Sequence, residues 1–526
     1  MSKSVSLMLV FLVAVGSLLI GIFPAVATSA GEEISHEVVF TIPVGQDGIE
    51  YEGEHPEMLP WGPTAFTVSP DGSFWIADAA GNRLLHYSPA GSSLGMVNLA
   101  GQVVGIGDLA VTRSEVWVLD IASVIPQVLR LSPEGKLLER YEIPEGLRLE
   151  DGLSGIAVGD QGEVLIEREG GASVSRFLDA GGRVDILPLP GYTHRGQLYA
   201  ARPANLASGD AGRGFITVGE VQIEITTTHS LGGLHLLGFH PDGSFYVVVE
   251  EVAVQGAIQV DQVVRRYGIA GDLLGLARIP LAEQHTYVAH NLAVGPDGAV
   301  YALITRPERV EVWRLRFCHA LAPVLPPVPA GASGSDGDVR GAVLACVPRS
   351  SMMSTASGYR NNSKYLSATN TDGACSGRSK PRYIGGAGVY PSVAYDWGGW
   401  DTVSGYNGYM YPNTYQAGDI NTSMESCSRG TDCSGFVSRV WQLPYKYSTR
   451  TLPNVSWQLP SVNYLQPGDI MNKVDSHVVL FSGFGANGIY DYESTTYNAY
   501  DRVVYIYSSW SRLSGYVPRR YNNVCP

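Results

Sequence analysis

A chain of 526 residues is too long for a single hydrophobic core and reads as two to four domains. It carries 36 Lys+Arg against 50 Asp+Glu, a formal net charge of −14, and that acidic balance argues against nucleic acid as a partner, which needs a basic footprint. The excess is uneven. Residues 351–526 hold 14 Lys+Arg and 11 Asp+Glu, so this tail is mildly basic and weakly suited to an anionic polymer such as cell wall.

The chain opens with Lys3, an apolar run from Leu7 to Phe23, Pro24 and then Ala25-Val26-Ala27. A basic start, an apolar centre and a small-residue site predict a secretory signal peptide over 1–30. No later stretch approaches the length of a membrane span. The expectation is an exported protein, extracellular, wall-associated or periplasmic, with no membrane span in the mature chain.

From residue 31 to 319 a pattern repeats: a strand, a Pro-Asp-Gly-type turn and a second strand. It appears at 66–78 (FTVSPDGSFWIAD), 109–120, 156–167, 237–248 (LGFHPDGSFYVV) and 292–303 (LAVGPDGAVYAL). Measured at Asp71, Glu115, Gln161, Asp242 and Asp297, the steps are 44, 46, 81 and 55 residues. The long step spans two periods, with a degenerate unit around 215–228. Further turns at 85–94, 129–138, 175–184 and 265–274 open an outer pair of strands. Six units of four short strands cannot each bury both sheet faces alone, so stacking around an axis is predicted: an all-β six-bladed propeller. The strand at 38–44 is expected to complete the short last unit and close the ring. The repeats resemble NHL-type propellers. No ion-ligand run stands out among the ten histidines before residue 320, and the ligand of the propeller is not indicated.

A Pro/Ala/Gly/Ser-rich linker is expected over 320–350. Beyond it composition changes: residues 351–526 contain 20 of the 29 Tyr, 4 Lys and one His. In Gly430-Thr431-Asp432-Cys433-Ser434-Gly435, followed by Phe436, Val437, Val440 and Trp441 at helical spacing, a helix is predicted to begin. Asp432 and Ser434 suit its first turn and place Cys433 at its N-terminus. Unpaired N–H groups and the helix dipole there favour a thiolate, the nucleophilic form of cysteine. The domain's single histidine, His477, heads the apolar strand His477-Val478-Val479-Leu480-Phe481 after a Pro467-Gly468-Asp469 turn. It is the candidate general base. The six cysteines also permit three disulfides. If Cys433 is a free thiol, at most two bridges form among the other five. Cys318 with Cys346 is a candidate pair, as are Cys375, Cys427 and Cys525 among themselves.

DCSGFVSRVW followed by PGDI and SHVVLFSG, with Tyr395-Asp396-Trp397-Gly398-Gly399 upstream, resembles the NlpC/P60 cysteine peptidases over about 383–516. The resemblance implies an α+β papain-like domain over 351–526, with no cofactor or metal, that hydrolyses peptide bonds in peptidoglycan. It implies Cys433 as nucleophile, His477 as base, and Tyr395, Asp432 and Ser434 where the family recognises the free amine of the stem peptide. The family's third polar residue lies on the strand after the base. Here that strand offers Asp491 and Glu493 on one face, with Glu493 favoured by alignment of the strand ends. The insert from Trp400 to Arg429 departs from the family pattern and puts its usual peptide specificity in doubt. The rival reading is a wall- or surface-binding protein whose papain-like domain is inactive.

Overall fold

The structure, a computed structural model, describes residues 36–203, 212–327 and 346–525. The expected signal peptide lies outside them, as does the linker from 328 to 345.

The Pro-Asp-Gly turns fold as their chemistry requires. Gly72 adopts a φ of 86°, open to glycine without cost. The Asp71 carboxylate accepts the Ser73 N–H at 2.9 Å, and Asp242 and Asp297 repeat that bond to Ser244 and Ala299. Each such hairpin joins the first two strands of a four-stranded antiparallel sheet, and among the described residues there are six of these sheets. The degenerate fourth sheet comprises Tyr192–His194, Gln197–Pro203, Arg213–Val218 and Val221–Thr226. In the sixth, Glu37–Pro43 pairs antiparallel with Arg309–Arg314, Ile42 opposite Val310, so the N-terminal strand supplies the outermost strand of the last blade. A bridge between Ala65 and His290 joins the first blade to the last. The chain therefore contains a β-propeller. Second strands such as Phe74–Asp78 and Val116–Asp120 are buried throughout, whereas the outermost strands Ser93–Asn98 and Val184–Leu189 are mostly exposed.

The second domain is α+β. Its helices are α1 (Arg349–Arg360), α2 (Ala368–Asp372), α3 (Val403–Tyr409) and α4 (Cys433–Val440). Its main sheet has six antiparallel strands in the order Ser456–Gln458, Val517–Tyr521, Ile470–Lys473, His477–Phe484, Gly488–Thr495, Arg502–Ser509. Phe436, Val437 and Val440 of α4 pack with Val478 and Leu480 of the sheet in one buried cluster. The domain begins earlier than residue 351, because α1 starts at Arg349 and Cys346 is bridged to Cys525. The other disulfide is Cys375–Cys427. The candidate pair Cys318–Cys346 does not form: Cys318 stays a buried thiol donating to the Ala320 carbonyl at 3.2 Å, and Cys433 is the second free thiol.

The two domains share a core despite the linker. Tyr497, Ala499, Tyr500, Val504 and Ile506 of the second domain pack in the same cluster as Leu109, Ile156 and Ile166 of the blades. Asn487 holds the Leu234 backbone on both sides, accepting its N–H at 2.8 Å and donating to its carbonyl at 3.2 Å. Tyr490 donates to Glu169 at 2.6 Å and Arg502 to the Ala122 carbonyl at 2.9 Å. Between the domains lies a cavity of about 740 Å³, lined by inner strands of the blades and by Tyr497 and Arg512. Among the described residues no helix is long and apolar enough to cross a membrane.

Candidate active site

Asp432 makes the start of α4. Its backbone is extended, with φ −89°, and its Oδ1 accepts the Gly435 N–H at 2.7 Å, which caps the helix and leaves Cys433 as the first helical residue. Ser434 Oγ donates to the same Oδ1 at 3.1 Å. The other oxygen, Oδ2, accepts the Gly398 N–H at 2.9 Å and is paired with the Lys446 ammonium. Asp432 and Ser434 are both buried. The carboxylate expected to meet a ligand's amine thus already holds an ammonium of the chain's own.

His477 opens its strand beside α4 and is buried. Its Nε2 lies 2.6 Å from Glu493 Oε2, across the register in which Leu480 faces Tyr492 and Phe481 faces Asp491. Glu493 also receives Arg512 Nη2, at 2.8 Å to Oε1 and 3.0 Å to Oε2. Burial works against the Glu493 charge, but the Arg512 guanidinium and His477 outweigh it and hold the carboxyl below its ordinary range. Asp491, two residues earlier, differs: burial first and the Glu493 charge second push it up to about 8, against a pull from Arg512. It is therefore a neutral acid where Glu493 is an anion. Of the two carboxyls the sequence offers, Glu493 is the one on the imidazole.

Cys433 is buried, and its Sγ lies 3.6 Å from a carbonyl oxygen that belongs to the propeller, that of Glu57. The Tyr395 hydroxyl donates to the same oxygen at 3.5 Å. Burial, then the Asp432 and Glu57 charges, push the thiol far up, against smaller contributions from Lys446 and the Val478 N–H. The helix N-terminus alone predicts a thiolate; the buried environment reverses that, and in this arrangement Cys433 is a thiol.

The structure thus gathers all six residues singled out in the sequence, Tyr395, Asp432, Cys433, Ser434, His477 and Glu493, around the start of α4 and the two strands that face it. Sequence reasoning missed Arg512, Lys446, Thr449 and Glu57. Arg512 sits 19 positions beyond its partner and Glu57 lies 376 positions from Cys433, so no local pattern connects them. Among the described residues no group of three or more His, Cys, Asp or Glu is placed to hold a metal ion.

No family model matches the chain, and no curated protein does. Among solved structures the chain is similar to a streptogramin B lyase, at 14% identity over 51% of this chain and 98% of that one, with a TM-score of 0.30. It is similar also to virginiamycin B lyase from Staphylococcus aureus, at 12% identity over 50% and 99% of the two chains, TM-score 0.29. A third is YCF48 bound to D1 peptide, at 13% identity over 51% and 98%, TM-score 0.29. These are β-propeller proteins, a fold that the six four-stranded sheets among the described residues establish on their own.

Proposed function

We propose that the second domain is an NlpC/P60-like cysteine peptidase with a papain-like core, exported to act on peptide bonds of peptidoglycan, and that the propeller places it on its target. The observation that carries this reading is that Cys433 heads α4, that the strand opened by His477 packs against α4, and that the His477 imidazole lies 2.6 Å from Glu493, all three residues being buried. Glu493 engages Nε2, which leaves Nδ1 as the nitrogen to take the thiol proton. Sγ then attacks the peptide carbonyl, and the first N–H of α4, which has no acceptor within the helix, receives the developing oxyanion. The imidazolium returns the proton to the leaving amine. Water, deprotonated by His477, cleaves the thioester and regenerates the thiol. Glu493 keeps the ring oriented and stabilises its charged form.

A second reading, a wall-binding protein whose thiol is idle, draws support from the Glu57 carbonyl standing in front of Cys433. The deciding experiment is digestion of purified peptidoglycan of known stem composition, with new termini identified by mass spectrometry. The peptidase reading expects amide cleavage by the wild type and none by Cys433→Ser. Intact stem peptides in both digests favour the binding reading.

A further inference from the structure

The segment that reaches Cys433 comes from the approach to the first blade, between Glu52 and Trp61, whose backbones pair with each other at 2.8 and 2.9 Å. At its tip, Glu57 takes a φ of 63°, a conformation L side chains rarely adopt. The side chains that hydrogen-bond this tip come from the second domain. The Pro56 carbonyl accepts Trp397 Nε1 at 3.2 Å, and the Met58 carbonyl accepts Ser476 Oγ at 3.4 Å. Between them the Glu57 carbonyl faces Cys433 and Tyr395. The Glu57 carboxylate is held by Thr449, whose N–H lies 3.0 Å from both oxygens and whose hydroxyl lies 2.6 Å from Oε1. Thr449 is itself buried and fixed: its carbonyl accepts Asn472 Nδ2 at 2.9 Å and its hydroxyl accepts the Asp475 N–H at 3.0 Å. A carbonyl at the thiol and a carboxylate hydrogen-bonded by Thr449 beside it are what an acidic peptide bound at Cys433 would present.

We propose that the Thr449 N–H and hydroxyl form a carboxylate-binding subsite of the Cys433 cleft, and that Glu57 keeps it filled, so that the first-blade loop Pro56–Met58 closes the cleft until a carboxylate-bearing ligand displaces it. The proposal rests on reading the Cys433 cleft as the active site. The propeller is then the internal competitor of the substrate as well as its carrier. With the loop seated the thiol is covered and dry. With the loop displaced, water and ligand reach the head of α4, and the dipole and unpaired N–H groups there can favour the thiolate.

The test measures how fast iodoacetamide alkylates Cys433 in the full-length, disulfide-intact protein, with peptide mapping to separate it from Cys318. Glu57→Gly removes the carboxylate and suits the positive φ; alkylation should accelerate on the order of tenfold or more, as loss of charge-assisted hydrogen bonds implies. Glu57→Gln keeps the shape and should fall between; it carries the test if the glycine variant does not fold, as judged by its melting curve. Glutarate, a dicarboxylate, should protect Cys433 in the loosened variant by entering the vacated pocket, and adding Thr449→Val should weaken that protection. Alkylation of the wild type as fast as of both Glu57 variants, or absence of protection by glutarate, overturns the proposal. The readout involves no peptide hydrolysis. A protein that shows the full labelling pattern and leaves wall peptides intact keeps the subsite and loses the peptidase assignment.

Discussion

At the scale of single residues, the His477–Glu493–Arg512 line decides what the thiol's partner can do. Without His477 no other imidazole in the second domain can take the proton, so His477→Ala should abolish turnover as Cys433→Ser does. Glu493→Gln leaves the ring in place but weakens its orientation and the stabilisation of its charge. A loss of about 10- to 1,000-fold in kcat/KM is expected, less than the loss known for a serine triad that must charge its base fully. Activity in His477→Ala refutes the base assignment, and a silent Glu493→Gln refutes the orienting role. Asp491→Asn serves as the neighbour control and also carries a pH prediction. Its carboxyl, pushed up to about 8 in the folded chain, keeps a proton that the unfolded chain gives up near pH ~4. Between these values the folded chain binds more protons, so this group's contribution to stability falls as pH rises. Asparagine is neutral throughout. The variant's Tm should therefore gain on that of the wild type between about pH 4 and about pH 8 and differ little below that window. A difference that does not change with pH would show that Asp491 is ionised in the fold.

At the scale of elements, α4 is positioned from both ends of the second domain's sequence. Tyr359 of α1 packs edge-on against Phe436, and Trp441 just beyond α4 stacks on Tyr521 near the C-terminus. The stretch between the Gly398-Gly399 pair and the Cys433 motif is tied by Cys375–Cys427, with Arg378 donating to the carbonyls of Ala417 and Gly418 at 2.7 Å. Arg429 lies over the rings of Tyr409 and Tyr415, at 4.6 and 4.1 Å from their centroids. The insert is thus a built wall rather than a loose loop. Replacing Cys375 and Cys427 with serine should destabilise the protein by about 2–5 kcal/mol in denaturant unfolding, the usual cost of losing a disulfide that closes a long loop. Unchanged stability would show that packing alone holds the insert.

At the scale of the whole molecule, the second domain is seated on the propeller by close approach as well as by apolar contact. Gly105 of the second blade lies under the turn Tyr497–Asp501, where a Cβ would come within 2.2 Å of the Asn498 carbonyl oxygen and 2.8 Å of the Ala122 methyl. Asn498, Ala499 and Asp501 all have positive φ, between 47° and 59°, a conformation that L residues rarely adopt. Gly105→Val should push the turn away and lower the Tm. It should also raise Cys433 alkylation, because the domain that carries the cleft moves relative to the loop that covers it. A variant with wild-type Tm and wild-type labelling would show that this seam bears no load.

The sequence by itself determined the elements whose signals are local. The Pro-Asp-Gly turns set the blade period because a turn needs its residues at adjacent positions. Asp432 and the apolar spacing of Phe436, Val437 and Val440 place Cys433 at the start of a helix, since capping acts within one turn. Strand alternation puts Asp491 and Glu493 on one face, and their chain order leaves both open. Only the tertiary structure decided that the imidazole meets Glu493, because the choice depends on the stagger between two strands and on Arg512, which holds the Glu493 anion, while burial and that neighbouring charge keep the Asp491 carboxyl protonated. Only the tertiary structure paired Cys346 with Cys525 across 179 positions and put the Glu57 carbonyl before the thiol. Contacts between residues hundreds of positions apart leave no periodic trace in a single sequence; they are set by how two separately patterned domains bury their remaining apolar surface against each other.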